Sequence, residues 1–269
     1  MGCDRLGGVP PLDLHAIRHG DGLPVRFVLV HGLSSNARLW DGVGAALAER
    51  GFGSVAVDLR GHGESPKPDD GYDFDSVVGD LVPLLVDTPV VVGQSYGGNV
   101  VVALAARHPE LVQGIVCVDG GAIDLRERIP SLEEAIEAMK PPYHLFEGRP
   151  WAEHEARVRA MHEGWPETGI AGQLANLEAD ADGNVRARLT WSRHRQIIEA
   201  MWHEPPTPHF ASMEVPVLFL VATERMRPGV ERALAALPNG DAVWFEGAHH
   251  DVHAQHPDLV ADALVRFHR

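Results

Sequence analysis

Val90-Val91-Val92-Gly93-Gln94-Ser95-Tyr96-Gly97-Gly98 is the stretch that decides how this chain is read. The β-branched run reads as a strand and Asn99 to Arg107 as a helix, so Ser95 falls at the apex of a sharp strand-to-helix turn. Such a turn strains the serine backbone and brings neighbouring chain close; glycine at 93 and 97 carries no Cβ to clash there. A serine so placed stands exposed above a sheet. The Tyr96 amide, opening the helix, is free to donate to an oxyanion. Gly-x-Ser-x-Gly alone is common; the strand before it and the helix after it make this instance specific.

Outward from this turn, apolar runs alternate with helical patterns. Leu12 to Ile17 alternates as a half-exposed edge strand, while Val25–Val30, Ser54–Val57, Pro89–Val92 and Gly114–Val118 read as buried strands. Helical stretches lie between them near Leu39–Arg50, Phe74–Val86 and Gly98–Arg107. The rhythm resumes with a strand at Val215–Ala222, a helix near Val230–Leu237, a strand at Ala242–Phe245 and a helix after Pro257. Continuous apolar strands alternating with helices predict an α/β fold with a mostly parallel sheet covered on both faces.

Residues 124–210 break the pattern. Ser131-Leu132-Glu133-Glu134 signals a capping box, and further helices are expected near Trp151–Glu163 and Thr190–Trp202. Asp182-Gly183 suits the turn of a small hairpin between Leu177 and Leu189. The expectation is a mainly helical cap, 124–210, inserted in a core formed by 1–123 and 211–269.

Composition narrows the function classes. A chain of 269 residues, 45% hydrophobic, can bury a full core as one domain. A formal charge of −15 and the absence of a basic block argue against nucleic acid as a partner and leave a small molecule. Cys3 and Cys117 do not form a disulfide framework; Cys117 sits in an apolar strand and reads as a buried thiol. Met1-Gly2-Cys3 invites a lipidation reading, which Leu6 disfavours. No apolar stretch has membrane-spanning length and no signal-peptide pattern is present, so the sequence predicts a cytoplasmic protein without membrane attachment.

Four motifs in order give the chain a resemblance to the α/β-hydrolase superfamily over nearly all of its core. They are His31-Gly32-Leu33, Asp58-Leu59-Arg60-Gly61-His62-Gly63-Glu64-Ser65, Gly93-Gln94-Ser95-Tyr96-Gly97, and Gly247-Ala248-His249-His250 with His256-Pro257 downstream. The resemblance implies that Ser95 is a nucleophile and that the backbone amides of Leu33 and Tyr96 form an oxyanion hole. A serine hydroxyl needs a base, which the family keeps on the loop after the last strand. His250 fits that place, and His249 reads as a loop residue packed under the site. His31 reads as a structural residue of its loop and the Arg60-Gly61-His62-Gly63 turn as a fold marker.

The acid of a triad has two candidates. In most of the family it follows the strand ending here at Ala222; an ungapped reading puts Arg225 there, and a one-residue shift brings in Glu224. Some subfamilies place it at the end of the preceding strand, where Asp119 closes Gly114-Ile115-Val116-Cys117-Val118. Asp119 otherwise reads as a turn cap, and Glu224 as a partner of Arg225 or Arg227. The tract His249–His256 also suggests a metal site if 249–253 is helical, with His249 and His253 on one face. The triad claims that loop, so no metal and no cofactor is expected.

In the cap, Trp191, His194, Ile198 and Met201 share one helical face. That face either packs on the core or roofs an apolar pocket above Ser95, with Trp151 and Trp165 as further wall candidates. The resemblance thus implies a cofactor-independent serine hydrolase acting on an ester or lactone, with thioester and carbon–carbon cleavage behind. Epoxide and haloalkane chemistry is disfavoured because those relatives carry an aspartate nucleophile. Two other classes use the same fold: a cofactor-free haloperoxidase or perhydrolase, and a ligand-binding receptor.

Overall fold

Strands rich in Val, Ile and Leu need apolar cover on both faces, and the arrangement of helices supplies it. The computed structural model describes residues 10–269; Cys3 and the Met1-Gly2-Cys3 reading lie outside them. The chain opens with β1 (Ala16–His19), β2 (Val25–Val30), α1 (Asp41–Glu49), β3 (Gly53–Val57) and α2 (Phe74–Leu81). It continues through β4 (Val90–Gln94), α3 (Tyr96–Arg107) and β5 (Gly114–Val118). Next come α4 (Leu132–Ala138), α5 (Trp151–Met161), α6 (Glu167–Leu174), the hairpin β6 (Leu177–Ala179) and β7 (Val185–Ala187), and α7 (Trp191–His203). It closes with β8 (Val217–Val221), α8 (Arg227–Ala236), β9 (Gly240–Trp244), α9 (Val252–Gln255) and α10 (Pro257–His268).

Seven strands form one sheet in the order β1-β3-β2-β4-β5-β8-β9, with β1 antiparallel to β3 and the remaining neighbours parallel. Side chains alternate between its faces. Val28, Val30, Val91, Ile115 and Phe219 join the apolar core that includes α2 and α3 residues. Phe27, Leu29, Val90, Val92, Val116 and Val118 join the opposite core with α1 and α10. Each fully buried side chain of this kind contributes about 1.5–3 kcal/mol, so the central strands are the most strongly held part of the fold.

The edge strand begins later than Leu12. The Leu12 amide donates to the Asp80 carboxylate (2.7 Å) and the His15 amide to Ser65 Oγ (2.8 Å), so pairing with β3 starts only at Ala16. Residues 124–210 contribute no strand to the main sheet and carry α4–α7 with the β6–β7 hairpin. Ser131 caps α4 through the Glu134 amide, as its capping box implies. The α6 helix, unanticipated in the sequence, packs on the 37–40 turn and α1. Among the described residues, no helix is long and apolar enough to cross a membrane.

Candidate active site

Parallel pairing brings the ends of β2, β4 and β5 to one edge of the sheet. Val30 pairs with Gly93 and Gln94 with Val118, so the β2 loop, Ser95 and Asp119 emerge side by side. Ser95 has φ 52° and ψ −118°, a conformation that costs a non-glycine residue roughly 1–3 kcal/mol. The cost is met by its surroundings: the Ser95 amide donates to the Val118 carbonyl (3.0 Å) and the Gly98 amide to the Ser95 carbonyl (2.9 Å). A Cβ on Gly93 would overlap the Gly97 carbonyl, and one on Gly97 the His31 carbonyl. The turn therefore requires both glycines.

Asp119 and His250 meet across 131 residues of sequence: Nδ1 of His250 lies 2.6 Å from Oδ2 of Asp119. The Asp119 side chain is fully buried. Burial opposes its ionisation, but hydrogen bonds from His250, the Thr223 hydroxyl (2.7 Å) and the Thr223 and Ala222 amides (both 2.9 Å) hold the carboxyl below its ordinary range. An ionised carboxylate accepts only, so the imidazole proton sits on Nδ1 and Nε2 is left as the basic atom. Ser95 and His250 border the same cavity. Glu224 is not part of this arrangement, which corrects the alternative. It pairs with Arg227 (3.0 Å), its side chain is 79% exposed, and this pairing lowers its pKa.

The loop at the end of β2 is held by three imidazoles. The Leu59 amide donates to Nε2 of His31 (3.0 Å), so Nδ1–H of His31 donates to the Gly32 carbonyl (2.7 Å). His62 receives the Ser34 amide on Nε2 (3.1 Å) and donates from Nδ1 to the Arg60 carbonyl (2.9 Å). His194 donates from Nε2 to the Met139 carbonyl (3.0 Å) and accepts from Ser34 Oγ on Nδ1 (2.9 Å). Burial keeps all three rings neutral: it lowers the pKa of His31, that of His62 to about 3 and that of His194 to about 4. Ser34 itself has φ 57°, so His62 and His194 fix a residue that the backbone alone disfavours. Among the described residues, no carbonyl or side chain engages the Leu33 or Tyr96 amide.

Sequence reasoning missed the roles of His62, Thr223 and a buried ion pair beneath this loop. Arg60 and Asp80 form a two-pronged pair (2.7 and 2.8 Å), both 1% exposed, which anchors the 58–72 turn. Asp58 ties the same turn to the β2 loop by accepting from Ala37 N (2.7 Å), Glu64 N (2.9 Å) and His15 (2.8 Å). The adjacency of Arg60 to two glycine turns was the available signal, but its partner lies on α2.

A cavity of about 150 Å³ is walled by Gly32, Leu33, Ser34, Ser35, Leu39, Gln94, Ser95, Asn176, His250 and Asp251. It shares Ser34, Ser35 and Asn176 with a narrower cavity of about 50 Å³ that also meets His62, Tyr143 and Phe146. That one shares Tyr143, Ala187 and Arg188 with an outer cavity of about 400 Å³ lined by Trp191. The Trp191 face has two readings, a roof and core packing; among the described residues no Phe, Tyr or Trp lines the cavity at Ser95. Trp191 stands in the outer cavity, and His194 tethers Ser34. Ile198 is buried in the apolar core, because its helix packs against α4. Trp151 stacks on His154 and borders none of these three cavities.

The 249–256 tract contains a short helix, α9, but its histidines diverge. His253 is fully buried, 4.2 Å ring to ring from Trp40, whereas His249 lies against Trp165 at 5.0 Å. Among the described residues, no cluster of three metal-ligating side chains exists.

A strained serine at the end of a central parallel strand, with an Asp-bound histidine beside it, defines an α/β-hydrolase site. The chain belongs to the alpha/beta hydrolase family, whose model matches residues 27–263. It is similar to the 2-(acetamidomethylene)succinate hydrolase of Mesorhizobium japonicum, 27% identical over 88% of this chain and 85% of that protein. It is also similar to lipase LipV of Mycobacterium tuberculosis, 35% identical over 72% of this chain and 71% of that one. A solved E-2-(acetamidomethylene)succinate hydrolase shares its fold with a TM-score of 0.78 at 23% identity, covering 94% of each chain.

Proposed function

We propose that this chain is a cofactor-independent serine hydrolase that cleaves a carboxylic ester or lactone of a small molecule in the cytoplasm. Ser95 Oγ attacks the carbonyl carbon as its proton passes to Nε2 of His250, and Asp119 stabilises the imidazolium through Nδ1. The Leu33 and Tyr96 amides meet the negative charge that develops on the carbonyl oxygen, each worth about 3 kcal/mol in the transition state. The carbon–oxygen bond to the leaving group breaks, the alkoxide takes the proton from His250, and an acyl-Ser95 ester remains. His250 then removes a proton from water, whose oxygen displaces Ser95 and releases the acid.

The observation that carries this reading is the 2.6 Å contact between His250 Nδ1 and Asp119 Oδ2 beside a strained serine. Hydroxyl or thiol leaving groups suit the arrangement better than carbon, because an alkoxide or thiolate is a far weaker base than a carbanion and departs with the one proton that His250 holds. The similarity to a hydrolase and a lipase over more than two thirds of the chain supports the same class. The test is covalent labelling: a fluorophosphonate probe should modify Ser95 in the folded protein and leave Ser95→Ala unmodified. Ser95→Ala should lose about 10⁶-fold in kcat on short-chain esters. A folded, unlabelled wild type would overturn the reading.

A further inference from the structure

One charged side chain borders the reaction cavity besides the base itself. Asp251 follows His250 in sequence and borders the same roughly 150 Å³ space as Ser95. Two neutral carboxamides hold it: Gln94 Nε2 donates to Oδ1 (3.1 Å) and Gln173 Nε2 to Oδ2 (2.7 Å). Among the described residues, no lysine or arginine lies within 4 Å of it. The nearest imidazole, His249 at 3.8 Å, offers no positive charge. Burial lowers its pKa, and its Nδ1 accepts the Asp251 amide (3.0 Å).

This carboxylate thus accepts from two neutral amides and has no cationic partner among the described residues. The reaction builds negative charge on the carbonyl oxygen in the same small, partly dehydrated space, and like charges repel more strongly there than in water. A substrate that brings a positive charge removes the conflict. Resting on the reading of Ser95 as an acyl-transfer nucleophile, we infer that Asp251 is a binding subsite for a primary ammonium group carried on the acyl portion of the substrate, a few bonds from the scissile carbonyl.

The walls favour this ligand over other cations. Among the described residues no Phe, Tyr or Trp borders the reaction cavity, so a quaternary ammonium would find no cation–π cage. A primary ammonium has three N–H donors. Asp251 Oδ1 and Oδ2 each keep a lone pair, and Ser34 Oγ, its own proton committed to His194, is an acceptor on the same wall. The cavity holds about five water volumes, the size of a short aminoacyl group. The approach does not repel a cation either. Along the outer cavity Arg188 is matched by Glu64 (2.7 Å) and Glu178 (3.2 Å), Arg193 by Asp69 (3.1 Å) and Arg186 by Glu178, while the charge of Lys67, which donates to the Gly63 carbonyl (2.7 Å), is offset by Glu147 on the same wall. The chain's formal charge of −15 adds a long-range pull on cationic substrates.

Three methyl esters of nearly equal size separate the possibilities: β-alanine methyl ester (ammonium), methyl butanoate (neutral) and monomethyl succinate (carboxylate), titrated in a pH-stat at pH 7. The kcat/KM of the wild type should exceed that for methyl butanoate by roughly 10- to 100-fold on the ammonium ester, the range a hydrogen bond to a charged group gives. It should fall below it on the succinate ester. In Asp251→Asn the ammonium-to-neutral ratio should collapse toward one, whatever the absolute rate. Addition of 0.5 M salt should shrink the wild-type preference. Turnover of methyl butanoate with no ammonium preference, or an unchanged ratio in Asp251→Asn, would sink the subsite alone. Turnover of none of the three, with Ser95 unlabelled by fluorophosphonate, would sink the hydrolase reading and the subsite with it.

Discussion

At the sheet edge, Ser95 and Asp119 each follow one member of a single register pair, Gln94 and Val118, so strand pairing alone sets their separation. In the insert, His194 reaches Ser34 across 160 residues of sequence and Asn176 reaches Asn36 across 140. The edge places groups by backbone geometry and buried hydrogen bonds. The insert places them by side chains that must meet after the chain has folded. Groups fixed by the first means tolerate almost no change of identity. Those fixed by the second act by holding loops in place, and their loss should grade function rather than abolish it.

The sharpest way to break this contrast is at the acid. Asp119→Asn should lower kcat by about 10⁴-fold, because the amide no longer holds Nδ1–H or stabilises the imidazolium. Glu224→Gln, on the surface beside Arg227, should stay within about twofold of wild type, as exposed pairs contribute little. Comparable losses in both variants would mean that the sheet edge does not supply the acid.

The hold of residues 124–210 on the loop after β2 should give a smaller, different signature. His194→Phe removes both ring hydrogen bonds and leaves Ser34 to its disfavoured backbone. A fall of roughly tenfold in kcat with little change in KM is expected, since a small misplacement of the oxyanion donors affects the transition state more than the ground state. His194→Gln should recover part of it. An effect confined to KM would make His194 a substrate contact instead.

The smallest effect is on stability and depends on pH. His253 is fully buried, neither ring nitrogen has a partner among the described residues, and burial lowers its pKa to about 4. In the unfolded chain it takes up a proton below about pH 6.5; in the folded chain only near pH 4. The unfolded state therefore binds more protons in that window, and stability falls as pH drops through it. His62 and His194 add to the same slope. His253→Phe should recover about 2 kcal/mol of the stability lost between pH 7 and pH 5, read from urea midpoints. Equal losses in variant and wild type would show that another group sets the slope.

Much of the edge was legible in the sequence. The Gly114–Val118 strand, the serine turn and the helix after Pro257 follow from apolar runs and glycine spacing, which are local properties, whereas His250 was offered only by the family resemblance. The choice between Asp119 and Glu224 was not local, because it depends on which carboxylate lies near an imidazole more than a hundred residues away from one of them. The α6 helix escaped for a related reason. Its two glycines weaken any helical signal, but Gly172 sits so close to the Leu39 backbone that a Cβ would approach within 2.8 Å, and helix packing there selects the small residue. The pocket walls were the least readable: a helical face carrying Trp191, His194 and Ile198 points in three directions once packed, to a vestibule, a tether and the core.

The hydrogen bonds on Asp119 have one more consequence. Asp119 stands where the chain leaves β5 for the insert, and Ala222 and Thr223, which donate to it, stand just after β8, where the chain has returned. The carboxylate thus staples together the two ends of everything between them. A foreign segment spliced in place of 124–210 would leave that clasp, Asp119 with the residues after β8, in place. The chemistry can stay constant while the walls that choose the substrate are exchanged, which makes this chain a natural recipient for loop and lid grafts.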